Sequence, residues 1–178
     1  MSSLVINGDT SGSITLAAPA VAGSNTLTLP TLTGTVLTNK TAGTVLQVVS
    51  VSTTTNTSTT SSSFVAVTNL TASITPSSST SKILVQVNMS IYGAAVGSEA
   101  VATIYRAGAD LTSGNGFADV YGGSTDIIQQ APMLYLDSPA TTSSTTYAVY
   151  FKRTQGASSI QSSLRGTTNT ITLMEISA

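Results

Sequence analysis

The sequence predicts an all-β protein, and three observations carry that expectation. Thr and Val are plentiful while Glu, Lys, Gln and Arg are scarce; β-branched side chains pack well on a pleated surface and lose rotamer freedom in a helix. Strict alternation runs through residues 82–92, with Ile83, Val85, Val87, Met89 and Ile91 on one face and Leu84, Gln86, Asn88, Ser90 and Tyr92 on the other. Similar segments recur between loops rich in Ser, Thr and Gly, the spacing of an antiparallel sandwich or jelly roll.

Two textures divide the 178 residues. Residues 1–42 carry short apolar alternations cut by turn residues: Ile14, Thr15 and Leu16, then Leu27, Thr28 and Leu29, then Val36 and Leu37, separated by Gly12, Pro19, Gly23, Pro30 and Gly34. Each is too short to bury much by itself, so this segment is expected to be a β-rich arm that gains order by lying on its own domain or on a neighbour. Residues 43–178 are expected to form the sandwich. Its first strand is placed at 45–51. The polar tract 52–63 reads equally as a linker or as a strand pair joined by a wide turn. In the segment that follows, Phe64, Ala66, Leu70, Ala72 and Ile74 share a parity, with Val65 and Val67 opposite, and Pro76 with the serines after it makes the turn into 82–92. Those two segments are expected to be adjacent antiparallel strands. Further strands are expected at 100–106, 132–136, 146–152, 158–164 and 169–176, and the glycine cluster between 108 and 123 as an irregular surface loop.

The chemical vocabulary is narrow. His and Cys are both absent and charge is limited to six basic and seven acidic residues, whereas about one residue in three is Ser or Thr. General acid/base work near neutral pH mostly uses His, activated nucleophiles are usually Cys or a based Ser, and transition metals want imidazole or thiolate. Catalysis, cofactors and bound metals are therefore not expected. A net charge of −1 supplies no basic field for nucleic acid and no polybasic patch for a membrane, and no apolar run approaches the ~20 residues of a membrane span.

Individual motifs weaken on inspection. Ser79 and Lys82 have the spacing of a Ser nucleophile with a Lys base, but that chemistry needs a helix and here the motif leads into the strongest strand. Asn56, Asn69 and Asn88 fit the glycosylation pattern at the rate that a Ser/Thr-rich sequence gives by chance. Gly114, Asn115 and Gly116 lack the third Gly of a dinucleotide fingerprint. Asp110, Asp119 and Asp126 are close in sequence, yet their spacing matches no calcium loop and solvated turn residues are the expected role. Arg106, Lys152, Arg153 and Arg165 are expected as strand-edge charges that discourage edge pairing. The six tyrosines offer sugar-stacking surfaces, with core and rim packing the commoner use.

Gly8 through Leu16 (GDTSGSITL), with Ala17, Ala18, Pro19, Leu27 to Pro30 and Gly34 to Leu37, resembles a repeat-like element near the attachment end of tailed-phage fibre and virion proteins, notably of marine and cyanobacterial phages. Val45 to Val49, Ile74 to Ser78, Ser81 to Val85, Leu136 to Pro139 and Ile171 to Ile176 resemble the globular module that follows it. The resemblance implies a virion structural protein whose module is similar to trimeric jelly rolls of the tumour-necrosis-factor and complement type. It implies a homotrimer, with the major capsid protein or another virion protein as partner. One arm and one module favour a small decoration, or cement, protein on the outer capsid surface; the alternative is a short head or tail fibre, an adhesin binding host-surface glycan. On this reading the apolar arm residues Leu4, Val5, Ile6, Leu27 and Leu29 make the attachment.

Overall fold

The architecture is organised around strand β6 (Lys82–Gly93), whose residues Ile83, Val85, Val87, Met89 and Ile91 are all at most 1% exposed, as the alternation requires. The structure, a computed structural model, describes residues 3–7, 11, 13–17, 42–123 and 126–178. The chain divides into two compact units, Met1–Val36 and Leu37–Ala178. In the first, β1 (Ser3–Asn7) pairs antiparallel with β2 (Ser13–Ala17), placing Leu4 opposite Leu16 and Ile6 opposite Ile14.

The second unit is a sandwich of two antiparallel sheets. On one side β6 pairs with β10 (Ile127–Asp137), and on the other with β12 (Ile160–Ser162) and β13 (Asn169–Ile176), which follow one another along the same edge. Beyond them lie β4 (Thr57–Thr59) on β12 and β3 (Val45–Thr53) on β13. The second sheet runs β5 (Val65–Ile74), β11 (Thr145–Gln155), β7 (Ser98–Arg106), with β8 (Ala109–Asp110) and β9 (Ala118–Gly122) sharing the far edge of β7. Because β3 with β4, β8 with β9, and β12 with β13 each act as one interrupted strand, the sandwich has eight tracks. Numbered along the chain, their order is 1-8-3-6 in one sheet and 2-7-4-5 in the other. That is the jelly-roll order. Phe151, Tyr147, Leu70, Ile74, Ile104, Ile160, Ile171 and Leu173 join the β6 residues in the core between the sheets.

Several local expectations are corrected. The two alternating segments flanking Pro76 are not a hairpin: β5 pairs with β11, and β6 lies in the opposite sheet. Both strands bury one apolar face, and crossing the sandwich lets those faces meet across the core. Alternation alone is the same whether the next strand lies beside or opposite. Parity also breaks within β5. Asn69 adopts a left-handed conformation (φ 60) and residues 67–70 stand opposite Val149 alone, so Val67 is buried together with Leu70, Ala72 and Ile74 while Ala66 is exposed. Asn tolerates that conformation better than other residues with a Cβ.

The tract 52–63 is neither linker nor strand pair; β3 extends into it and β4 continues along the same neighbouring track. The glycine cluster holds β8 and β9, joined by a strap over residues 111–117 that leaves and rejoins β7 through Leu111 N–H to Ile104 O at 3.1 Å and Phe117 N–H to Ala102 O at 2.8 Å. Gly116, with φ +81, lies so close to β7 that a Cβ there would fall 2.1 Å from Val101 Cγ1.

The expected strand 158–164 shortens to β12 and gives way to a 3₁₀ turn at Leu164–Gly166. Ser163 (φ 54) and Arg165 (φ 58) bend the chain out of the sheet. The fully buried Asn169 covers the gap: its Oδ1 accepts from Ser90 N–H at 2.9 Å and its Nδ2 donates to Ser163 Oγ at 2.8 Å.

Candidate interaction surfaces and polar clusters

The arm residues read as attachment points fall in two groups. Val5 and Ile6, in β1, are 51% and 52% exposed, and Leu4 lies between Ser3 and Val5 on the same strand. Leu27 and Leu29 lie outside the described residues.

The outer face of the first sheet divides along its length. Toward one end polar pairs surround Ile128, 51% exposed beside Tyr92: Tyr92 Oη donates to Asp126 Oδ2 at 2.8 Å, and Asn56 Nδ2 to Gln161 Oε1 at 3.1 Å. The Asp126 contact raises the Tyr92 hydroxyl above the usual phenol range. Toward the other end the strand register sets Val48, Met174, Leu84 and Leu136 side by side across all four tracks, and Leu134 stands in the next row.

The outer face of the second sheet is built differently. Tyr105 and Tyr150 stack at 3.9 Å between centroids, Phe64 meets Tyr105 edge-on, and the Lys152 ammonium lies 4.4 Å above the Phe64 ring. Lys152 Nζ also donates to Gly114 O at 3.0 Å, fastening the strap over this face. Asp110 holds the strap's base: Oδ1 accepts from Thr103 Oγ1, Thr112 N–H and Thr112 Oγ1, and Oδ2 from Gly114 N–H. Burial alone would raise this carboxyl, and the four donors outweigh it and hold it below the usual range. Asp119, on β9, is raised by burial and by the neighbouring Glu99 carboxylate.

The three aspartates adjacent in sequence therefore do not converge: Asp110 serves the strap, Asp119 faces Glu99 and Asp126 meets Tyr92. Among the described residues no group of three His, Cys, Asp or Glu is placed to hold a metal ion. Lys82 Nζ donates to Ser138 Oγ at 2.7 Å, away from the Ser79 with which it shares sequence spacing. The four basic residues expected as strand-edge charges lie elsewhere, Arg165 in the 3₁₀ turn Leu164–Gly166. Lys152 and Arg153 lie on β11, an interior strand, where Arg153 donates to Ser158 O at 3.2 Å.

Arg106, at the end of the interior strand β7, instead joins a cluster between the sheets. Its Nη1 contacts both oxygens of Asp137, at 2.8 and 2.9 Å, and Tyr147 Oη donates to Asp137 Oδ2 at 2.6 Å. Tyr147 is fully buried, and burial followed by the Asp137 hydrogen bond drives its hydroxyl far above the usual range. A second internal carboxylate, Glu175, is also fully buried. It accepts Ser77 N–H and Ser77 Oγ on Oε1, both at 2.7 Å, and Gln47 Nε2 on Oε2 at 2.6 Å. Burial opposes its ionisation, but the donors from Ser77 and Gln47 win and hold its pKa at about 2. It thereby ties the crossing segment after β5 to β13 and β3.

Neither carboxylate was singled out from sequence, although each carried a signal. Glu175 shares the inward parity of Ile171 and Leu173, and Asp137 that of Met133 and Tyr135. A charge at core parity within a strand implies a built partner set.

Comparison with solved structures adds a structural likeness. The chain is similar to the D431N mutant VP2 protein of infectious bursal disease virus, in derived T=1 particles, with a TM-score of 0.36 and 14% identity over 94% of this chain and 43% of that one. The chain thus spans less than half the length of that neighbour. No protein-family model and no curated protein sequence matches the chain. The jelly-roll assignment rests on the strand pairing itself.

Proposed function

We propose that this chain is a non-enzymatic structural protein of a tailed-phage virion, a decoration protein on the outer capsid surface. The jelly roll stands outward as a homotrimer, and the N-terminal arm attaches it to the major capsid protein. The observation that carries this reading is the division into a jelly roll and a separate strand pair that exposes Val5 and Ile6. It agrees with the phage-virion resemblance in both parts of the sequence. A two-stranded sheet is marginal alone and gains stability by adding its apolar side chains to a shell surface. The physical effect is burial across capsid-subunit boundaries, roughly 25 cal/mol per Å² before association costs, which strengthens the shell against internal pressure.

Removing residues 1–42 tests the attachment. The expected product is a folded jelly roll that no longer sediments with purified particles lacking their own copies of the protein. Undiminished binding to those particles rejects the arm as the attachment. A short fibre or adhesin that binds host-surface glycan is the second reading, favoured by the aromatic outer face of the second sheet and by Tyr121, 57% exposed on its β9 edge.

A further inference from the structure

We infer that the apolar half of the first sheet's outer face is the surface on which one copy of this chain packs against another. This rests on the homo-oligomeric reading above and names its interface. Val48 and Leu136 are each 55% exposed, Leu134 is 64% exposed, and the half-buried Met174 and Leu84 bridge them across β13 and β6. Val45, 49% exposed, extends the patch along β3. An apolar surface continuous across all four tracks of a sheet is unlike the scattered apolar residues that any soluble surface carries.

Charge identifies the occupant as a second copy. The strands forming this half carry three charged residues: Lys82, Asp137 and Glu175. Asp137 and Glu175 turn inward and are buried, and the Lys82 ammonium is held by Ser138. The apolar rows themselves therefore hold no charged side chain, and the one charge of these strands that is not buried, Lys82, lies at their border in the row of Ile176, so two copies meet over the rows without placing charged side chains in contact. The other sheet, by contrast, carries Glu99, Asp110, Asp119 and Lys152 on or beside its outer face and covers part of it with its own strap. The apolar half also carries relief. A depression of about 540 Å³, bordered by Gln86, Asn88, Pro132 and Leu134, lies beside the protruding Leu134 and Leu136. One surface thus carries both projecting apolar side chains and a depression, the two features a homotypic contact combines.

The test uses the full chain and reads mass in solution by light scattering and sedimentation. The unaltered protein is expected to be an oligomer, and Leu134→Asp with Leu136→Asp is expected to weaken its association by at least roughly a hundredfold. Tyr121→Asp, an equally exposed site on the other sheet, should leave the mass unchanged. Single Leu134→Cys and Tyr121→Cys variants give an independent reading that needs no destabilising charge, because the chain has no Cys of its own. A short bismaleimide should join copies through position 134 and leave position 121 unjoined. Full-size oligomers from the double Asp variant, or equal cross-linking at the two positions, overturn the interface while leaving the oligomeric reading standing. A monomeric unaltered chain overturns both.

Discussion

Acidification from pH 7 to about pH 2 is expected to remove roughly 3 kcal/mol of folding stability through Glu175 alone. In the folded protein this carboxyl has a pKa of about 2, against an ordinary value of 4.5. As pH falls below 4.5 the unfolded chain takes up a proton that the folded chain refuses until about pH 2. The contribution is therefore complete above the unfolded value and lost as pH falls through the folded one. Glu175→Gln should be less stable than the parent at pH 7 by a similar amount, because its amide NH2 replaces one of the two oxygens and faces either the Ser77 donors or Gln47 Nε2. The two proteins should converge near pH 2. Urea unfolding of both across this range makes the comparison, and parallel curves at every pH would contradict the assigned role of Glu175.

The second large effect is expected at Asp137. Its side chain is 5% exposed while that of Arg106 is 34% exposed, so Asp137→Ala leaves a fully buried Tyr147 hydroxyl and a partly buried guanidinium without their acceptor. Breaking a buried pair from one side costs about 3 to 5 kcal/mol, and the solvent access of Arg106 places this case near the lower end, at about 3 kcal/mol. Asp137→Asn keeps an oxygen for Tyr147 and should lose less. Removing both dependants, with Arg106→Met and Tyr147→Phe, should recover part of the loss in the Asp137→Ala background. An unfolding free energy from chemical denaturation for Asp137→Ala within about 1 kcal/mol of the parent would show that the cluster does not hold the sheets together.

What could be read in advance follows from how local each cause is. β6 and β13 were legible because their apolar burial repeats every second residue and needs no knowledge of neighbours. The partners of β5 and β6 were not legible, since one alternating pattern serves a hairpin and a sandwich crossing equally. The bulge at Asn69 and the departure at Ser163 depend on single left-handed residues that sequence marks only weakly. In the 108–123 region, glycine signalled freedom of backbone and hid order, because Gly116 uses that freedom to lie against Val101. The buried carboxylates were visible as parity and became meaningful once Ser77, Gln47, Arg106 and Tyr147 were seen to converge from distant parts of the chain. The apolar half of the first sheet's outer face had the same obstacle: Val48, Leu84, Leu136 and Met174 are adjacent through register alone.

The central claim, a decoration protein spread over a phage capsid, is tested most directly by its copy number relative to the major capsid protein in purified particles, measured by quantitative mass spectrometry. A ratio of the same order as the capsid protein is the result predicted here. Absence from the particles, or a few copies confined to a vertex or tail, would contradict it.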